Sequence, residues 1–153
     1  MDLEEQLRVI VEDAVNYGVP SVVAAKAIAP VLGLFAQQLQ HEQYYILQNL
    51  EGDWVVTTIA NPQIQEEQRV IYAFVSVQDA ATFRDLNNPD LVAVPMPIAQ
   101  LLFRIFALQT IDSLIVLEDS QNLNRGVKIE QKTLAQSIQQ QIEQLGNIAS
   151  DLA

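Results

Sequence analysis

Cysteine is absent from the 153 residues and histidine occurs once. The first absence excludes a disulfide framework and thiolate chemistry, and it fits a reducing cytoplasm. The second leaves a metal with few ligands. Zinc at His41 would need carboxylates alone beside it, and no HExxH or comparable spacing occurs. His41 reads as a surface residue at a polar helix end, between Gln40 and Glu42. No GxSxG elbow is present to pair with it as a nucleophile. Glycine is scarce too. Gly18, Gly33, Gly52, Gly126 and Gly146 are isolated, so no loop of the kind that cradles a phosphate exists. The loop Glu51-Gly52-Asp53 lacks the ligand spacing of a calcium site.

Basic residues are few, 8 against 19 acidic ones, for a net charge of −11. Phosphate binding needs a basic patch to release counterions, so nucleic acid is not an expected partner. A secretory or transit leader is not expected either, because the chain opens Met1-Asp2-Leu3-Glu4-Glu5. The most apolar stretch, Val19 to Ala36, carries Lys26, Pro30 and Gly33. A membrane helix needs about 20 mostly apolar residues, so this stretch is expected to be buried helix and no membrane partner is expected. Adjacent carboxylates occur at Glu12-Asp13, Glu66-Glu67 and Glu118-Asp119. Neighbours in a strand point to opposite faces, so these pairs do not converge by spacing. With no catalytic constellation, no metal cluster and no cofactor motif, the expectation is a non-enzyme without cofactors.

What is present is helical and strand periodicity. Leu3, Leu7, Ile10, Val11, Ala14 and Val15 form one helical face, with acids in the first turn where the macrodipole favours them, and Gly18 and Pro20 as stops. A second helical region over 20–40 should kink or split at Pro30. Tyr44 to Leu50 and Trp54 to Ala60 read as a β-hairpin around Glu51-Gly52-Asp53, with Leu50 facing Trp54. Gln63 to Gln68 reads as a polar loop. Arg69 to Val75 and Leu114 to Leu117 are apolar on both faces, as central strands are, so Val70, Phe74, Ile115 and Leu117 should be buried. Ser76 should cap a helix running to about Leu86, followed by a turn at Asn87-Asn88-Pro89-Asp90. Leu91 to Val94 reads as a short strand, with Pro97 at a first helical position ahead of Ile98, Leu101, Leu102, Ile105 and Phe106. Gly126 to Glu130 is a last strand before a helix bearing Leu134, Ile138, Ile142 and Leu145.

The order α-α-β-β-β-α-β-α-β-β-α predicts one layered domain of the α+β or mixed α/β class. Residues 1–42 form a helical hairpin packed on a mixed sheet of five to six strands. Residues 43–130 carry that sheet with its two crossover helices, and 131–153 form a C-terminal helix. The aromatics give the hint of a binding surface. Tyr44, Ile46, Gln48 and Leu50 share a face with Trp54 and Val56; Tyr45, Leu47, Val55 and Ile59 lie on the other. Either helices cover both faces, or one is left for a partner, with Tyr44, Tyr45, Leu47 and Trp54 as its protein-binding residues.

Residues 70–138 resemble the SseB-like domain. The shared features are the strand Tyr72-Ala73-Phe74-Val75, the helix from Ser76 to Phe83, the run Val92-Ala93-Val94-Pro95-Met96-Pro97 leading into Leu101-Leu102, and Ile115-Val116-Leu117 before Gly126-Val127. The chain departs from that pattern at Asp119-Ser120-Gln121-Asn122, where an Asn-Pro-like turn is usual. The resemblance implies no catalytic residues. As a whole, the chain also resembles the cyanobacterial β-carboxysome assembly chaperones, which implies binding of the C-terminal tail of a carboxysome shell protein.

The expected function is therefore that of a cytoplasmic assembly factor or chaperone. It would bind an extended or basic segment of another protein through a sheet edge or an apolar groove. A scaffold or regulatory subunit of a stable homo- or hetero-oligomer is the alternative. An enzyme of unknown type is a third class, which a deep pocket of clustered titratable groups would favour.

Overall fold

A computed structural model describes residues 2–63, 65–84, 90–119 and 126–151. Helix α1 (Leu3–Ala14) starts on Asp2, whose carboxylate accepts the Glu5 N–H at 2.8 Å. A 3₁₀ turn (Val15–Tyr17) follows and ends on Gly18 in the left-handed region, φ 79°. The tightened turn rotates Val15 off the apolar stripe, and it is exposed rather than packed. The second helical region is continuous but not uniform. It runs as α2 (Ser21–Val23), a π turn (Ala24–Ile28) and α3 (Ala29–Gln37). Ala29 N–H donates to the Ala24 carbonyl, five residues back. Pro30 cannot donate and its ring crowds the preceding turn. The widened turn just before it is a recognised way to absorb such an irregularity.

The remaining elements are β1 (Gln43–Asn49), β2 (Thr57–Asn61), β3 (Glu66–Phe74), α4 (Val77–Arg84), β4 (Leu91–Pro97), α5 (Ile98–Ala107), β5 (Ser113–Leu117), β6 (Val127–Glu130) and α6 (Gln131–Asp151). They form the expected mixed sheet. Its order is β4-β1-β3-β5-β6, with β2 also paired to β3. β3 and β5 are the parallel neighbours, with Val70 opposite Ser113 and Phe74 opposite Leu117. The other pairs are antiparallel. Ser76 caps α4 as expected, its Oγ accepting the Asp79 N–H at 3.1 Å.

The two faces are covered unequally. On one, Ile46, Ile71, Ala73, Leu114 and Val116 pack in the main core with residues of α1, α3, α5 and α6. On the other, Leu47, Phe74 and Leu117 meet Ala80 and Phe83 of α4, with Tyr45, Tyr72 and Ile115 at the margin. Phe83 lies 4.7 Å from Tyr72 and 5.4 Å from Phe74, centroid to centroid. Val70, Phe74 and Leu117 are buried as expected; Ile115, at the margin of the smaller cluster, is only half-buried.

The hairpin is the main correction. The turn after β1 forms, built on Asn49, whose Oδ1 accepts the N–H groups of Glu51 and Asp53 at 2.9 Å each, and on Gly52 at φ 87°. Its second arm then pairs with β1 at a single bridge, Gln48 with Trp54, where the Val55 N–H donates to the Leu47 carbonyl at 2.9 Å. Leu50 does not face Trp54 but is exposed. Beyond that bridge β3 takes the place beside β1, with Tyr45 opposite Phe74. The arm instead continues as β2 along the first half of β3, Thr57 opposite Val70 and Asn61 opposite Glu66. The polar stretch expected as a loop thus supplies the start of β3. β4 is also longer than expected and ends at Pro97, which closes the strand opposite Gln43 instead of opening α5. Prolines at 95 and 97 are tolerated there because β4 is an edge. Of the expected turn, 87–89 lie outside the described residues, as do 120–122.

Candidate functional site

Helices α1 and α5 pack together on the well-covered face of the sheet, and a cleft of about 660 Å³ opens between them, extending to the turn after α1. Its floor is Ile10 and Ala14, buried residues of the α1 stripe. Its walls are Val9, Tyr17, Phe103, Phe106 and Leu108. Tyr17, 69% exposed, stands over Phe103 at 6.3 Å between ring centroids, and Phe103 stands the same distance from Phe106. Volumes of about 300–1,000 Å³ with an apolar lining and a few polar groups are typical of binding clefts.

The polar groups here are Gln6, Asp13, Gln100 and Arg104. Gln6 is buried and committed: its Nε2 donates to the Glu42 carbonyl and its Oε1 accepts the Ala99 N–H, both at 2.9 Å. Arg104 lies with its guanidinium 4.6 Å from the Trp54 ring centroid, a cation–π contact. Asp13 accepts a hydrogen bond from the Asn16 amide at 2.9 Å. Gln6, Asp13 and Arg104 are each held by a neighbour, so the cleft offers apolar surface with a polar rim and not a cluster of converging titratable groups.

The sequence-expected binding residues are divided by the sheet. Tyr44 is fully buried on the helical face, its hydroxyl donating to Glu118. Burial, then the Glu118 hydrogen bond, hold that hydroxyl well above the usual phenol range. Leu47 is buried on the opposite face beneath α4, with the half-buried Tyr45 beside it. Trp54 is half-buried and returns to the helical face. The four therefore form no common patch, although Trp54 reaches the cleft's rim through Arg104. Val9, Tyr17, Phe103 and Leu108 are the wall residues that sequence reasoning passed over. For three of them the signal was position: Val9 and Phe103 are apolar yet fall outside the stripe of their helix, and Tyr17 extends the spacing of Leu3, Leu7, Ile10 and Ala14 one step beyond the expected face.

His41 is exposed, as expected for a surface histidine; its ring lies edge-on to Tyr44 at 5.7 Å. Among the described residues no group of three or more histidine, cysteine or acidic side chains is placed to hold a metal, and no helix is long and apolar enough to cross a membrane. No family model and no curated protein matches the chain.

Proposed function

We propose that this is a non-catalytic protein-binding assembly factor that holds an extended apolar segment of another protein in the cleft between α1 and α5. The observation that carries the reading is the aromatic wall of Tyr17, Phe103 and Phe106 left open beside Val9, which is itself 45% exposed. Exposed aromatic clusters with a polar rim are the usual makings of a protein interface. The acids at Glu4, Glu5, Glu12 and Asp13 on α1, with the overall charge of −11, favour a segment carrying basic residues. The resemblance to the β-carboxysome assembly chaperones supplies a specific client, the C-terminal tail of a shell protein, and a cytoplasmic setting.

Titration calorimetry with a synthetic shell-protein tail peptide tests this. Binding should be measurable for the native protein and lost in Phe103→Glu at unchanged helix content. A peptide that does not bind, or that binds Phe103→Glu equally well, would overturn it.

A further inference from the structure

Among the described residues three strands of the sheet, β2, β4 and β6, have an unpaired edge, and the three are not equally defended. β4 carries Pro95 and Pro97. β6 is four residues long and carries Lys128 and Glu130. Prolines, short length and charge are the devices by which proteins keep an edge from pairing with another chain. Thr57–Asn61, the whole of β2, has neither proline nor charge, and it is rich in threonine and isoleucine, which favour strands. Thr58, Ile59 and Ala60 are exposed.

The direction of its free backbone groups follows from β3. Arg69 N–H donates to the Asp112 carboxylate, and the Arg69 carbonyl accepts the Asp112 N–H, both at 2.8 Å. Both groups of Arg69 thus point away from β2. Thr58 is the residue opposite Arg69, and Ala60 is in phase with it, opposite Glu67. In an antiparallel ladder residues alternate between paired and outward-facing backbone. Thr58 and Ala60 therefore turn their N–H and C=O groups outward, along the open side of β2.

We infer that this edge takes an extended segment of a partner protein as an added strand, and that the segment carries a basic residue at the Ala60 end. Glu66 and Glu67 lie directly across from Asn61 and Ala60 and are exposed. They would attract a lysine or arginine there, and the net charge of −11 opposes a second copy of the same chain. Main-chain bonds give such strand addition its affinity and side-chain pockets its specificity. This inference rests on the protein-binding reading but uses residues separate from the cleft.

The test is amide hydrogen exchange by NMR with a capped peptide of alternating threonine and valine bearing lysine at both ends. The peptide should slow exchange at Thr58 and Ala60, and Thr58→Pro should weaken it about tenfold, since the outward N–H is removed while the bonds to β3 remain. The same peptide ending in glutamate should bind more weakly. Phe103→Glu should leave the edge effect intact, which separates this inference from the cleft. If Thr58→Pro does not fold, the exchange pattern of the native protein still decides. Absence of binding, binding that leaves the Thr58 and Ala60 amides unchanged, or protection of those amides that grows with protein concentration alone would overturn it; the last outcome would assign the edge to a second copy.

Discussion

The Tyr44 hydroxyl donates to the Glu118 carboxylate and so ties the start of β1 to the residue just after β5. The same carboxylate accepts the Gln40 N–H at 2.7 Å, and the Tyr44 oxygen accepts the His41 N–H at 3.1 Å. One buried phenol thereby fixes the passage from α3 into the sheet. Tyr44→Phe should keep the ring packing and destabilise by about 1–2 kcal/mol in urea titration.

The same bond predicts an alkaline dependence. The folded protein holds the Tyr44 proton more tightly than the unfolded chain does. The stabilisation is then complete below about pH 10, the ordinary phenol value, and is lost as pH rises beyond it. The urea midpoint should fall above about pH 10 in the native protein and fall less in Tyr44→Phe. Equal pH dependence in the two would remove Tyr44 as the cause.

Gln6 is the buried polar side chain that joins α1 to the start of α5 and to the chain entering β1. Gln6→Leu would leave the Ala99 N–H without its partner, while the Glu42 carbonyl would lose one of two donors and keep the Ile98 N–H at 2.9 Å. An unsatisfied buried group costs roughly 1–3 kcal/mol, so the variant should lose about 1–3 kcal/mol by chemical denaturation despite being more apolar.

Phe74 is fully buried between β1, β5 and α4. Phe74→Ala should cost about 3–5 kcal/mol. Gly126 probes the same face from the other side. A Cβ there would stand 2.6 Å from Ile115 Cγ2 and 3.0 Å from Leu117 Cδ2, so Gly126→Ala should destabilise by about 1–3 kcal/mol through overpacking. Thermal melts of both variants check the pair.

Tyr17→Ala separates binding from folding most cleanly. Its ring is 69% exposed, so the melting temperature should stay near that of the native protein. Tail-peptide affinity should drop about 30-fold if Tyr17 anchors the segment. Raising salt should also slow association if the acidic surface steers the encounter. An unchanged affinity for Tyr17→Ala would show that the cleft's outer wall takes no part.

Much of the fold was legible because local pattern dictates it. The second half of β3, from Val70, and all of β5 are short apolar runs, α5 and α6 show clear helical stripes, and period-two alternation assigned Tyr44 and Ile46 to the face opposite Tyr45 and Leu47 correctly. Which strand lies beside which is a long-range matter that alternation does not encode. The run from Trp54 to Ala60 therefore looked like the partner of β1, whereas β3 competes for that place and takes the run as its own neighbour. The cleft was hidden for a related reason. It forms where Val9 and Tyr17 of one helical segment come up against Phe103 of another far along the chain, and nothing local to either announces the meeting.

The parallel pairing of β3 with β5 bears on how the molecule is made. Two antiparallel strands can be joined by a short turn, but parallel neighbours require the chain to travel out and back. Here it passes through α4, β4 and α5 before Ser113 meets Val70. Such late, distant pairing slows folding. On the ribosome, Ile71 and Phe74 have no neighbour on that side until synthesis has passed Leu117. The nascent chain thus carries its central strand half-dressed from Phe74 until Leu117 has been made, and a net charge of −11 favours dispersal over association in that interval.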